Sequence, residues 1–69
     1  MGRIVNEINI GVFVDFGMMY NGNNKHGLLR RNNMTQATRE YIKMGAVIQV
    51  KVLEKFESEG IGKCELMEV

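Results

Sequence analysis

Sixty-nine residues with 45% apolar and 25% charged side chains make one small globular domain, spanning residues 1–69, and leave no room for a second. The only cysteine, Cys64, excludes an intrachain disulfide and a multi-cysteine metal site, and no apolar run approaches the roughly 18 residues that a membrane helix needs. Net charge is only +1, but residues 1–53 carry seven Lys and Arg against three carboxylates and residues 54–69 carry two against five, so a basic face can lie beside an acidic one.

In chain order, Gly2 to Ile8 reads as a first strand, with Val5 expected in the core and Arg3 and Glu7 in solvent. Arg3 and the alternation of apolar positions with Asn6, Glu7 and Asn9 are unlike a signal peptide. With the single thiol, this predicts a reducing compartment, the cytoplasm. Ile8-Asn9-Ile10-Gly11 breaks the alternation and predicts a tight turn or a bulge. The stretch that follows, Val12-Phe13-Val14-Asp15-Phe16, is rich in β-branched and aromatic residues and bounded by Gly11 and Gly17, which marks the central strand. Successive side chains in a strand point to opposite faces, so Val12, Val14 and Phe16 share one side and Phe13 and Asp15 the other. A large aromatic beside a carboxylate makes a poor core but a usable platform for a flat ligand such as a nucleobase.

Met18 to His26 contains Asn21-Gly22-Asn23-Asn24, residues that tolerate turn conformations, and is expected to be a surface loop. Gly27-Leu28-Leu29 predicts a short third strand. From Asn32 to Lys43 the period of two disappears, and Thr35 or Thr38 is suited to cap a helical turn running through Arg39 to Ile42, closed by Gly45. Ala46 to Phe56 gives the longest predicted strand, with Ile48, Val50 and Val52 alternating against Gln49 and Lys51 until Leu53 breaks the parity. A polar turn over residues 57–62 leads to a fifth strand, Lys63 to Met67, with Cys64 and Leu66 facing in and Lys63, Glu65 and Met67 facing out. Five short strands with one helical turn between the third and fourth predict an all-β barrel, since closure hides edges that an open sheet of this size exposes; the OB-fold is the commonest architecture of this order.

The segments Gly2-Arg3-Ile4-Val5, Ile8 to Gly17, His26-Gly27-Leu28-Leu29, Tyr41-Ile42-Lys43-Met44-Gly45 and Val50 to Glu54, in that order and spacing, resemble an S1 RNA-binding domain over nearly the whole chain. The resemblance implies a five-stranded OB barrel that binds single-stranded RNA on the face of its second and third strands. Phe13 matches one of the two aromatics common on that face. Ile10 stands where the other would be, and Arg30 where a His is usual. Phe56 falls where an acidic residue is often found, and Lys63 where an Arg is common.

The binding residues expected from pattern and resemblance together are Phe13 for stacking, Arg30, Arg31, Lys51 and Lys63 for phosphates, and Tyr20 and His26 in support. Base preference should be weak, because stacking accepts any base and phosphates carry no sequence. Single-stranded DNA is a further candidate ligand. A competing expectation is an S1-like protein-interaction module of a larger assembly, docking through Met18, Met19, Tyr20 and Phe56.

No cofactor, metal or membrane is implied, and His26 has no second His or Cys near it in sequence. Gly62-Lys63-Cys64 has the outline of a phosphate-loop ending, but Glu57 stands where that motif needs Gly and Cys64 where it needs Ser or Thr. With Asp15 the only aspartate and no nucleophile-base pair, the sequence predicts no enzyme.

Overall fold

The computed structural model describes residues 1–20, 22–56 and 63–69, and the turn expected over 57–62 lies outside them. Six strands form one sheet: β1 (Gly2–Ile8), β2 (Gly11–Tyr20), β3 (Asn23–Arg30), β4 (Val47–Ile48), β5 (Val50–Phe56) and β6 (Lys63–Glu68). Their spatial order is β4-β1-β2-β3-β6-β5. Every neighbouring pair is antiparallel except β3 and β6, which run parallel. A 3-10 turn (Arg31–Asn33) and a five-residue helix, α1 (Gln36–Glu40), connect β3 to β4. The strands at the two ends of the order, β4 and β5, are separated in sequence by Gln49 alone. The sheet therefore curls into an all-β, barrel-like wall, and the single long strand expected over Ala46 to Phe56 is two strands, interrupted at Gln49.

Inside the curl lie Ile4, Val12, Val14, Leu29 and Leu66, each no more than 1% exposed, joined by Met34 and Cys64. Phe16, Met18, Ile42, Ala46, Ile48 and Val50 pack around this cluster. The expected parity of β2 and β6 holds, with Val12 and Val14 inside and Cys64 and Leu66 facing them from β6. Gly27 is the close approach that makes room for them: a Cβ there would lie 2.7 Å from the Leu66 side chain and 2.9 Å from the Phe16 ring.

One end of the curl is covered by the β3-to-β4 connection. Thr35 caps α1 by accepting a hydrogen bond from the Thr38 amide, as expected for one of the two threonines. Glu68 of β6 holds the same spot, its carboxylate accepting from the Thr35 amide at 3.0 Å, the Thr35 hydroxyl at 3.2 Å and the Thr38 hydroxyl at 2.8 Å. Met34, just ahead of this clamp, is thereby held over the core at 6% exposure.

Four further expectations are corrected. Ile4, not Val5, is the core residue of β1: the register steps from Ile4 opposite Val14 to Asn6 opposite Phe13, leaving Val5 as an extra, bulged residue at 39% exposure. The segment from Met18 to His26 is mostly paired, because β2 runs on to Tyr20 and β3 begins at Asn23, with Met18 opposite Lys25 and Met19 opposite Asn24. Cross-strand backbone bonding there outweighs the poor strand propensity of the asparagines. Gly45 does not close the helix, which ends at Glu40 with Tyr41 as its cap; instead the Gly45 amide donates to the Ile4 carbonyl at 2.8 Å. Finally, Val52 is 42% exposed although it pairs with the buried Leu66, because β5 ends the strand order and its side chains are covered from one flank only.

These two partners make a paired test. Leu66→Ala should lower unfolding free energy by about 2 to 5 kcal/mol, most of the stability of a domain this small, whereas Val52→Ala should cost about 0.5 kcal/mol. Urea denaturation of the two variants measures both; equal losses would mean that the core does not centre on β6.

Candidate nucleic-acid interface

The outward face of the sheet has its apolar floor where β2 and β3 pair. Phe13 and Leu28 are direct register partners and both are half-buried. On the far side of β3, Glu65 of β6 is the register partner of Leu28, so Phe13, Leu28 and Glu65 form one row across three strands. Arg30 stands two residues beyond Leu28 on the same face, diagonal to Phe13 and opposite Gly11, which presents no side chain. Diagonal neighbours on a sheet lie about 7 to 8 Å apart, within reach of an aromatic ring and an arginine.

Of the expected cations whose side chains are described, Arg30 is the one set beside Phe13, and it forms an ion pair through its Nε with the Glu65 carboxylate. Arg31 is committed elsewhere. Its Nε donates to the Asn9 carbonyl at 3.0 Å, one terminal nitrogen donates to the Ile8 carbonyl and to Glu7 Oε2, both at 3.1 Å, and its amide donates to the Ile10 carbonyl. It thus braces the two-residue turn Asn9-Ile10 between β1 and β2. Lys51 is exposed and, as the partner of Met67, belongs to the outward face. It lies three strands from Phe13, about 14 Å at normal strand spacing. His26 is exposed on β3. Tyr20, Phe56 and Lys63 are strand positions whose side chains lie outside the described residues.

A second feature of the face comes from Asp15. Between Val14 and Met18 three residues of β2, Asp15, Phe16 and Gly17, stand against His26 alone on β3, an irregularity that Gly17 accommodates at φ +87. Asp15 stitches it: Oδ1 accepts from the Gly17 amide at 3.2 Å and Oδ2 from the Asn24 side-chain amide at 3.1 Å. The Gly17 and Asn24 hydrogen bonds hold the Asp15 carboxyl below the usual carboxylate range, with smaller contributions from the charges of His26 and Arg3. Beside it, Met1, Gly2, Arg3, Asp15, Phe16 and Val47 line a shallow cleft of about 310 Å³.

Leu28 and Glu65 were not among the residues expected at the site. Alternation about the inward Gly27 and Leu29 would have turned Leu28 outward, but no local signal tells that Lys63 to Glu68 pairs with β3. Among the described residues no three His, Cys, Asp or Glu gather in a way that could hold a metal ion, and no helix is long and apolar enough to cross a membrane. Comparison of the chain with family models, with curated proteins and with solved structures gives no match.

The depressed Asp15 carboxyl carries a pH signature. Its folded-state value lies below its unfolded one, so its contribution is present above about pH 4 and is lost as pH falls through the folded value. Asp15→Asn should therefore be less stable than wild type at pH 6, and the gap should close on acidification below about pH 4. Denaturant midpoints at pH 6 and pH 3 measure this; a gap that does not change with pH would remove the charge of Asp15 from the account.

Proposed function

We propose that this chain is a single-stranded RNA-binding module of the S1 type, an OB-fold barrel whose ligand lies on the outward face of β2 and β3. The observation that carries the reading is the Phe13-Leu28 pair, an apolar floor on the outer face of the sheet with the Arg30 guanidinium one diagonal step away. A base stacked on Phe13 would set its flanking phosphate near Arg30, with Lys51 further along the path. The strand order supports the fold assignment: if β4 and β5 are counted as one strand interrupted at Gln49, five strands remain in a partly open barrel, as in OB-folds. Arg31, braced against the β1-β2 turn, serves the frame of the face rather than the ligand. The reading is one of binding, with no reaction assigned, in a cytoplasmic setting that suits both RNA and a single thiol.

One observation favours a protein partner instead. The end strands of the sheet leave Val47, Val52 and Leu53 between 42% and 52% exposed, apolar surface that a docking protein would cover. RNA is preferred because Phe13 and Arg30 share the other, well-paired part of the sheet.

Titration of a labelled RNA of about ten nucleotides into wild type and Phe13→Ala at two salt concentrations tests the proposal. Wild type should bind saturably and more weakly at higher salt, and loss of the ring should cost about 1 to 3 kcal/mol. A DNA oligomer of the same sequence, run in parallel, reports whether the 2′-hydroxyl is read. A folded protein that binds neither oligomer at low salt would refute the RNA reading and turn attention to the apolar end strands.

A further inference from the structure

The Arg30-Glu65 ion pair stands in the middle of the proposed face, and this inference rests on the RNA-binding reading above. Glu65 is the register partner of Leu28, which is itself the partner of Phe13. At about 5 Å per cross-strand step, its Cβ is about 10 Å from that of Phe13. A phosphate flanking a base stacked on Phe13 would lie within a Debye length, about 8 to 10 Å, of the carboxylate and would feel its charge. The carboxylate is also the deeper member of the pair. The Glu65 side chain is 23% exposed and that of Arg30 is 49%, so the cation is the more accessible to solvent. Arg30 uses its Nε for Glu65, and its terminal nitrogens have no hydrogen-bond partner among the described residues.

The face thus presents a guanidinium that is open to a phosphate but neutralised by its ion-pair partner. We infer that Glu65 sets the affinity of this face: by cancelling the charge of Arg30 it holds binding of a phosphate backbone below what Phe13 and the cations would otherwise reach. Its effect is selective. A ligand that offers only negative charge meets a neutral pair, while one that offers a base to Phe13 gains enough from stacking to bring its phosphate to Arg30. Glu65 would then discriminate between stacked single-stranded RNA and polyanions at large. It is a tuning residue of the same face.

Glu65→Gln tests this, because the amide keeps the size of the side chain and leaves the β3-β6 backbone pairing intact. Binding of a ten-nucleotide RNA should tighten about five- to tenfold, the worth of one freed surface cation, and the slope of log affinity against log salt should steepen by about 0.7. The double variant Arg30→Ala/Glu65→Gln should lose the added slope, since no cation is left to release. Inorganic polyphosphate, which offers no base, should gain measurable binding in Glu65→Gln. Thermal melting of each variant verifies that it is folded. If wild type binds RNA and Glu65→Gln binds equally or more weakly, Glu65 is at most a positioning partner of Arg30, and the inference falls while the RNA reading stands. If wild type binds nothing and Glu65→Gln binds RNA, stacking on Phe13 does not overcome the neutral pair, and the selectivity inferred for Glu65 falls with the RNA reading of the wild-type face. Should neither bind, the inference falls together with the reading beneath it.

Discussion

Between Ile48 and Val50 the chain passes from one end of the sheet to the other in a single residue. Ile48 is paired with Gly2 of β1, Val50 with Glu68 of β6, and the carbonyl of Gln49 between them accepts from the Val69 amide at 2.9 Å. A flat six-stranded sheet would hold its outermost strands about 24 Å apart at normal strand spacing, which one residue does not span. Curvature is therefore imposed by connectivity. Everything else follows from it: a concave interior in which Val12, Val14, Leu29 and Leu66 lie buried, and a convex exterior on which Phe13, Leu28, Arg30 and Glu65 are displayed.

The exterior is organised by what the interior needs. Gly27 is small because Leu66 and the Phe16 ring crowd that point from within. Its neighbours His26 and Leu28 consequently face outward, and Leu28 supplies the second half of the apolar floor beside Phe13. Arg31, the first residue of the 3-10 turn, fixes the β1-β2 turn, while Arg30, the last residue of β3, meets Glu65. Two consecutive arginines thus divide the work between framing the face and charging it. The end of β3 at Arg30 and the start of the 3-10 turn at Arg31 separate the two side chains.

Much of this was legible in the sequence because period two is a local signal. The sidedness of Val12 to Phe16, the turn at Asn9-Ile10, the cap at Thr35 and the inward Cys64 and Leu66 all follow from residue type and spacing. What was not legible depends on partners distant in the chain. Val5 is displaced from the core by a register step that only the pairing with Phe13 and Val14 reveals. The asparagine-rich stretch after Met18 extends as paired strands because each edge finds the other, against its own propensities. The neutralising role of Glu65 needs the parallel β3-β6 pairing, which no nearby residue announces. The outward position of Phe13 was legible, but its pairing with Leu28 and the ion pair of Arg30 were not.

That parallel pairing also governs the order in which the molecule can be assembled. β1, β2 and β3 are joined by short turns and form a meander from contacts close in sequence, which need little loop closure. β6 lies between β3 and β5 in space, and its contacts to β3, such as Leu28 with Glu65, close a loop that includes the helix and both end strands. Until Lys63 to Glu68 docks, β5 has no neighbour and the meander has an open edge at β3. Non-local closures of this kind slow folding, so the pairing of β6 with β3 is expected to form after the local β1-β2-β3 meander.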